Sequence, residues 1–444
     1  MNLDFTGEEN KMTKLEDTKS KNISRRSVLK GTAAAAAGIG AASAIGGFPT
    51  VWAQDLKDIT IRQLGLAVSN MDPFAKMATD ALGFTVEQTA TDLGTIGNRG
   101  ITQPKSFDLL EPAYMQFKFV WPTGNFQPVD INRLTHWDKV SGIYKESGKG
   151  WDDAWLGDGQ RPHNVMYVDG SGSEFKAPGS TDHVAAMPIL HNADTIGIRP
   201  DEIGRPISSW GELLNDEFNG KTALVGFPAI GGMDAAMALE ALGKVSYQDK
   251  GNMTQGEIDE TFKHLIEYKK KGHFRALWTT FNESVNLMLS GEVVIQSMWS
   301  PAVTAVRAKG IPCVYQDCKE GYRSWSLALM IPNHVEGKKL DATYDYLNWY
   351  LSGPAGAFFA RQGYYVVTPD NTKKELPAAE WDFWYEGKEA TVEIRDPFDN
   401  LMESPGSVRD GGSYKNRMGR VAVWNSVMAE NEYLTEKWNE FVAS

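Results

Sequence analysis

Through most of the chain after about residue 54, apolar positions recur with two periods, near 2 and near 3.6 residues, which is the pattern of an α/β protein. Ile59 to Val68 is an apolar run of strand length. Asp72-Pro73 then opens a helix that runs to Gly83, with Asp as the cap and Pro in the first turn, where a missing N–H costs nothing. Phe107 to Leu110 predicts a short buried strand. Further on, Ser209 to Leu214 predicts a short helix, Lys221 to Phe227 a strand, and Gly231 to Leu242 a small-residue helix closed by Gly243. Thr254 and Glu257 have the spacing of a capping box, and Ile258, Phe262, Leu265, Ile266 and Lys269 share one face of the helix behind them, ending at Gly272. Val293 to Met298 predicts another strand, and Ser300-Pro301 caps a helix that reaches Gly310. From about Ser413 onward, Val421, Trp424, Val427 and Met428 fall at helical spacing and predict a helical C-terminal stretch. No internal repeat is visible.

Two stretches break this pattern. Between Ser147 and about Asp182 the composition shifts to Gly, Asp, Ser and Pro, which predicts an irregular surface insertion. Its acids Asp152, Asp153, Asp158 and Asp169 do not follow calcium-loop spacing, so they read as solvated loop residues. At the other break, Ser24-Arg25-Arg26-Ser27-Val28-Leu29-Lys30 precedes an Ala- and Gly-rich apolar run from Gly31 to about Gly47, and Val51-Trp52-Ala53 offers a small-residue cleavage site. This is the order of a twin-arginine export signal. The run is too short and too rich in Gly for a spanning helix. Residues 1–53 are therefore expected to be removed, the mature chain to begin near Gln54, and the folded protein to work in the periplasm.

The remainder is long enough for two lobes with separate cores. A net charge of −12 argues against nucleic acid and against an anionic membrane face. Both cysteines, Cys313 and Cys318, lie in the exported part, where a disulfide is permitted. If Ile311 to Asp317 is a strand, however, their Cα atoms are roughly 16 Å apart, against the ~7 Å a disulfide spans. A bridge requires a turn between them.

Catalytic signatures are scarce. The seven histidines are scattered and form no zinc motif, and the expected mature chain has no nucleophile elbow, P-loop or dinucleotide fingerprint. No cofactor or metal is expected. What recurs is a strand that ends in an aromatic or polar residue just before a helix start, where α/β sheets bind ligands. Trp299 sits at such a junction. Asp72 and Asp234 occupy similar ones, where capping a helix is the competing role. Glu111-Pro112-Ala113-Tyr114 follows another strand end, which makes Glu111 and Tyr114 candidates to face a cleft.

The stretch Gly291 to Ser300, followed by Ala308 to Pro312, Lys319-Glu320-Gly321, Ser324-Trp325 and Met330-Ile331-Pro332, resembles the bacterial extracellular solute-binding proteins of ABC importers. The likeness is nearest to the spermidine/putrescine-binding branch. Pro188 to Ile198, Pro206 to Leu214 and Gly363-Tyr364-Tyr365 keep that order, so the likeness covers most of residues 185–370. It implies a two-lobe periplasmic-binding-protein fold of α/β class, with discontinuous lobes and a hinge cleft. The first lobe is expected to hold residues 54–186 with a return segment 327–364, and the second 191–322 with a C-terminal segment 366–444. Carried over residue by residue, Trp299 and Trp325 fall where that branch stacks rings on a polyamine. Tyr322, at the end of the second lobe's first segment, completes the candidate ligand set.

The likeness also has departures. Leu327 stands where the branch places an aspartate, and Ala229 and Met233 stand where it places an acid pair. A buried ammonium without a carboxylate costs several kcal/mol. The leading reading is a receptor that carries a small polar solute, a polyamine or another amine, to an inner-membrane ABC permease, and is not an enzyme. An organic anion held by helix N-termini and Arg323 is the second ligand class; an exported enzyme with an unrecognised cofactor is the reading from another class. The expected partners are the solute, the permease and the twin-arginine machinery, without nucleic acid, and the expected state is a monomer.

Overall fold

The first predicted strand is the centre of a small parallel sheet. The computed structural model describes residues 56–145, 157–171 and 174–444; the leader 1–53, Gln54, Asp152 and Asp153 lie outside the described residues. Strand β1 (Thr60–Leu66) leads through helix α1 (Asp72–Leu82) to β2 (Thr85–Thr91), and helix α2 (Leu93–Thr102) leads on to β3 (Leu109–Leu110). The sheet order is β2-β1-β3 with both pairings parallel. Gly83 ends α1 in the left-handed conformation at φ 77°, which a residue without Cβ adopts freely. Asp72 does not cap α1. Met71 is the N-cap and makes no side-chain bond, so Asp72 is an exposed first-turn acid that stabilises the helix only through its dipole.

The larger sheet is organised by one long strand, β4 (Met187–Ile198), buried along its whole length. The elements that follow are β5 (Thr222–Val225), α3 (Pro228–Ala241), α4 (Gln255–Lys270), β6 (Phe274–Trp278), β7 (Ile295–Met298), α5 (Ser300–Arg307) and β8 (Tyr322–Leu329). After them come α6 (Gly337–Leu351), β9 (Val421–Trp424) and α7 (Asn431–Ala443). The order β6-β5-β7-β4-β8-β9 ends at Asp158–Gly159. Antiparallel partners divide β4 in two: Thr195 to Ile198 pair with β7, and Met187 to Asp194 pair with β8. Beyond β8 the chain returns to the first sheet. Ile331–Pro332 pairs with Phe126–Gln127, and α6 packs on α1 and β1. The C-terminal α7 instead packs on α3 and α4. This is a two-lobe α/β fold in which β4 and β8 run side by side from one lobe towards the other.

The capping box formed as expected: the Thr254 hydroxyl accepts from Glu257 N–H, and the Glu257 carboxylate accepts from Thr254 N–H at 2.7 Å. Three expectations are corrected. Helix α3 begins at Pro228, because Phe227 is extended and Pro is preorganised for the first helical position, so Asp234 lies in the second turn rather than at a junction. Likewise Trp299 is the N-cap of α5, and Ser300 is its first residue. Val421 to Trp424 form a strand: Val421 and Val423 alternate inward against β8, and the C-terminal helix starts only at Asn431. Both cysteine thiols are free and buried, and burial pushes each up to about 12. Between them only Val314–Tyr315 is strand.

Candidate functional site

An open cavity of about 630 Å³ is lined by the segment from α2 to the residues after β3, by the start of α3 and by the start of α7. Leu93, the first residue of α2, and Met115 and Phe119, from the segment after β3, form one wall. Phe227, Ala229 and Ile230, from the first turn of α3 and its cap, form another, and Val427 and the start of α7 close the third side. Phe119 is 37% exposed, unusual for so large an apolar ring on a cavity wall. Burying such a ring against a ligand is worth roughly 1.5–3 kcal/mol. Glu430 and Glu432 are the only charged residues of the lining, and none of it is Lys, Arg or His. Glu430 is fixed by a hydrogen bond from Gln255 Nε2 at 2.8 Å.

None of the seven residues singled out in the sequence lines this cavity. Trp299 is half-buried, edge-on to Trp278 at 4.9 Å, and packs on the same apolar cluster as Leu93 and Phe227. Trp325 lies in β8 opposite Asn192 of β4, half-buried and edge-on to Tyr364 at 5.9 Å. Asp72 is exposed at the start of α1. Tyr114 is buried, stacked on Phe117 at 4.4 Å, with its hydroxyl 3.7 Å from Met166 Sδ. Tyr322 is buried and its hydroxyl donates to Asp317 at 2.8 Å.

Glu111 is wholly buried. Its carboxylate accepts from Gln63 Nε2 at 2.9 Å, Asn70 Nδ2 at 3.0 Å, Leu66 N–H at 3.3 Å and the Ser69 hydroxyl. These bonds hold the loop after β1 against the end of β3. A Cβ at Gly65 would fall within 2.7 Å of Glu111 Cβ, so this approach requires glycine. Burial outweighs the four donors and raises the Glu111 carboxyl from 4.5 to about 7.

Asp234 is also wholly buried, and Arg323 Nε donates to it at 2.6 Å. Arg323 lies 3.4 Å from Asp194 and donates to Asn425 at 3.0 Å. Burial pushes both acids up, Asp194 to about 6, while the Arg323 charge opposes the shift. This network corrects the reading of Arg323 as an anion holder, because its guanidinium is taken up inside the protein. Where the resemblance places acids, Leu327 and Met233 are buried and apolar and Ala229 lines the cavity. Among the described residues no group of three or more His, Cys, Asp or Glu could hold a metal, and no helix is long and apolar enough to cross a membrane.

Sequence reasoning missed Leu93, Met115, Phe119, Phe227, Ile230 and Val427. The available signal was an apolar residue beside a helix start, as in Asp92-Leu93 and Phe227-Pro228, a place that polar residues usually hold.

The same architecture recurs in solved structures at low identity. The spermidine/putrescine ABC transporter substrate-binding protein of Streptococcus pneumoniae superimposes with TM-score 0.57 at 13% identity, covering 86% of this chain and 97% of its own. An ABC transporter substrate-binding protein from Bradyrhizobium japonicum gives 0.55 at 15%, covering 86% and 99%. A PBP from A. tumefaciens R10, in complex with agropinic acid, gives 0.53 at 11%, covering 87% and 99%. No curated protein matches the chain. The profile of the bacterial extracellular solute-binding protein family matches residues 75–383, and the chain belongs to that family.

Proposed function

We propose that this protein captures a small amine with one positive charge and an apolar body, and delivers it to an inner-membrane ABC permease. The observation that carries this reading is the lining of the 630 Å³ cavity: largely apolar walls, two carboxylates and no basic side chain. A polyamine needs carboxylates spaced along its length, and Ala229, Met233 and Leu327 supply none. A single ammonium at Glu430 and Glu432, with its hydrocarbon part against Phe119, Phe227 and Ile230, leaves no charge buried unpaired. Trp299 and Trp325 are assigned to the wall that closes on the solute, where an aromatic face adds roughly 0.5–2 kcal/mol to cation binding.

Closure is assigned to a hinge at β4 and β8, with lobes of 54–186 plus 327–364 and 191–322 plus 366–444. The return of Ile331–Pro332 to Phe126–Gln127 and the packing of α7 on α3 and α4 support that division. The Arg25-Arg26 leader supports twin-arginine export to the periplasm, with the chain acting there as a monomer. Calorimetric titration of the purified protein tests the ligand class: a hydrophobic monoamine binds, whereas spermidine at the same concentration gives no heat of binding.

A further inference from the structure

A second, much smaller cavity lies behind α5, apart from the solute cleft. It measures about 20 Å³, and its walls include Arg409, Arg417, Trp384, Tyr315, Ser300 and Thr304. Arg409 and Arg417 are 6% and 1% exposed. Buried guanidinium groups are ordinarily paired with carboxylates, but among the described residues these two donate only to uncharged oxygens. Arg409 donates to the carbonyls of Trp384 and Gly363, and Arg417 to Ala193 O at 2.8 Å and to Asn192 Oδ1 at 3.5 Å. Both cations lie over the one ring of Tyr365, at 4.6 and 5.7 Å from its centroid.

Two further donors in this wall have no acceptor at all. Trp384 Nε1 and Arg417 Nε are buried and make no hydrogen bond, although a buried donor left unsatisfied costs about 1–3 kcal/mol. Charge points the same way. The lining holds three arginines and two acids, and both acids, Glu403 and Asp410, are engaged by the third arginine, Arg307. Within the lining one positive charge remains over, with the Asp194 carboxylate beyond it acting on Arg417. The volume exceeds the 10–15 Å³ or so that a single water requires, which leaves room for one small ion.

We propose that this cavity binds one halide-sized monovalent anion, chloride being the physiological member of the class, through Trp384 Nε1 and the guanidinium groups of Arg409 and Arg417. The anion completes the hydrogen bonding of the two free donors and sits against the guanidinium groups of the lining. It joins two separate parts of the chain: the helix that ends at Trp384 and the segment from Arg409 to Arg417 that lies against β4. The lobe carrying β4 is therefore stabilised by anion.

The test uses the full mature protein at constant ionic strength, with bromide replacing gluconate. Above half-saturation the melting temperature rises by about 2 °C for each ten-fold increase in bromide. Crystals in bromide show an anomalous peak in the cavity, which Arg409→Gln abolishes. Should that variant not fold, Trp384→Phe, which removes a single N–H, raises the half-saturating bromide concentration about ten-fold. A water molecule in the cavity without an anomalous peak, or a bromide dependence of melting that Trp384→Phe leaves unchanged, overturns the proposal.

Discussion

Arg323 Nε donates to Asp234 Oδ1 across 2.6 Å, and both side chains are shut away from water, so a charge pair ties β8 to α3. Removing the Asp234 charge costs this short charge-assisted bond, while Asp194, 3.4 Å from Arg323, still faces the guanidinium. Asp234→Asn is therefore expected to lower unfolding stability by about 1.5–3 kcal/mol, the worth of one bond to a charged group. An Asp that only capped a helix would tolerate the change, since Asn caps about as well. Denaturant unfolding with an unchanged midpoint would contradict the assignment.

The Glu111 carboxyl predicts a pH dependence. Its value is raised from 4.5 unfolded to about 7 folded, so the folded state favours the neutral acid. The stability this contributes is complete below about 4.5 and is lost as pH rises to about 7. The loss is roughly 3 kcal/mol. Glu111→Gln keeps the shape and cannot ionise, so its unfolding free energy is expected to fall less between pH 5 and pH 8 than that of the wild type. Equal losses in the two proteins would show that Glu111 is not the responsible group.

The cleft wall predicts where affinity resides. Phe227→Ala and Trp299→Ala are each expected to weaken solute binding by roughly 1–3 kcal/mol through lost burial and stacking. The double change Glu430→Gln with Glu432→Gln is expected to weaken an amine and to spare an uncharged analogue of the same shape. Calorimetry reads both. Equal weakening of amine and neutral analogue would remove the charge from the account.

In the proposed export route Arg25-Arg26 is the recognition element. Their replacement by two lysines is expected to abolish periplasmic accumulation, because lysine does not reproduce a paired guanidinium. Cell fractionation with normal periplasmic levels of the variant would contradict it.

Legibility followed sequence distance. Thr254 with Glu257, and Gly83 after α1, are signals confined to one turn, and both were readable because capping and left-handed turns use few residue types. Val421 to Met428 failed because a four-residue apolar stretch fits a strand and a helical face equally well, and the pairing with β8 that decides between them is invisible in the chain. Asp234 and Arg323 are 89 residues apart, and no local rule joins them. The cavity was least legible: its walls come from positions 93, 115, 119, 227–230 and 427–435. What the family resemblance offered were the tryptophans and the missing acids. The missing acids proved to be apolar positions, of which Ala229 belongs to the cavity wall.

The central claim is that the cleft selects an amine with a single charge and an apolar body. Mass spectrometry of the small molecules released when the purified protein is denatured tests it most directly. The account predicts about one equivalent of a monoamine carrying an aliphatic or aromatic body. Release of spermidine, putrescine or an organic acid would contradict it.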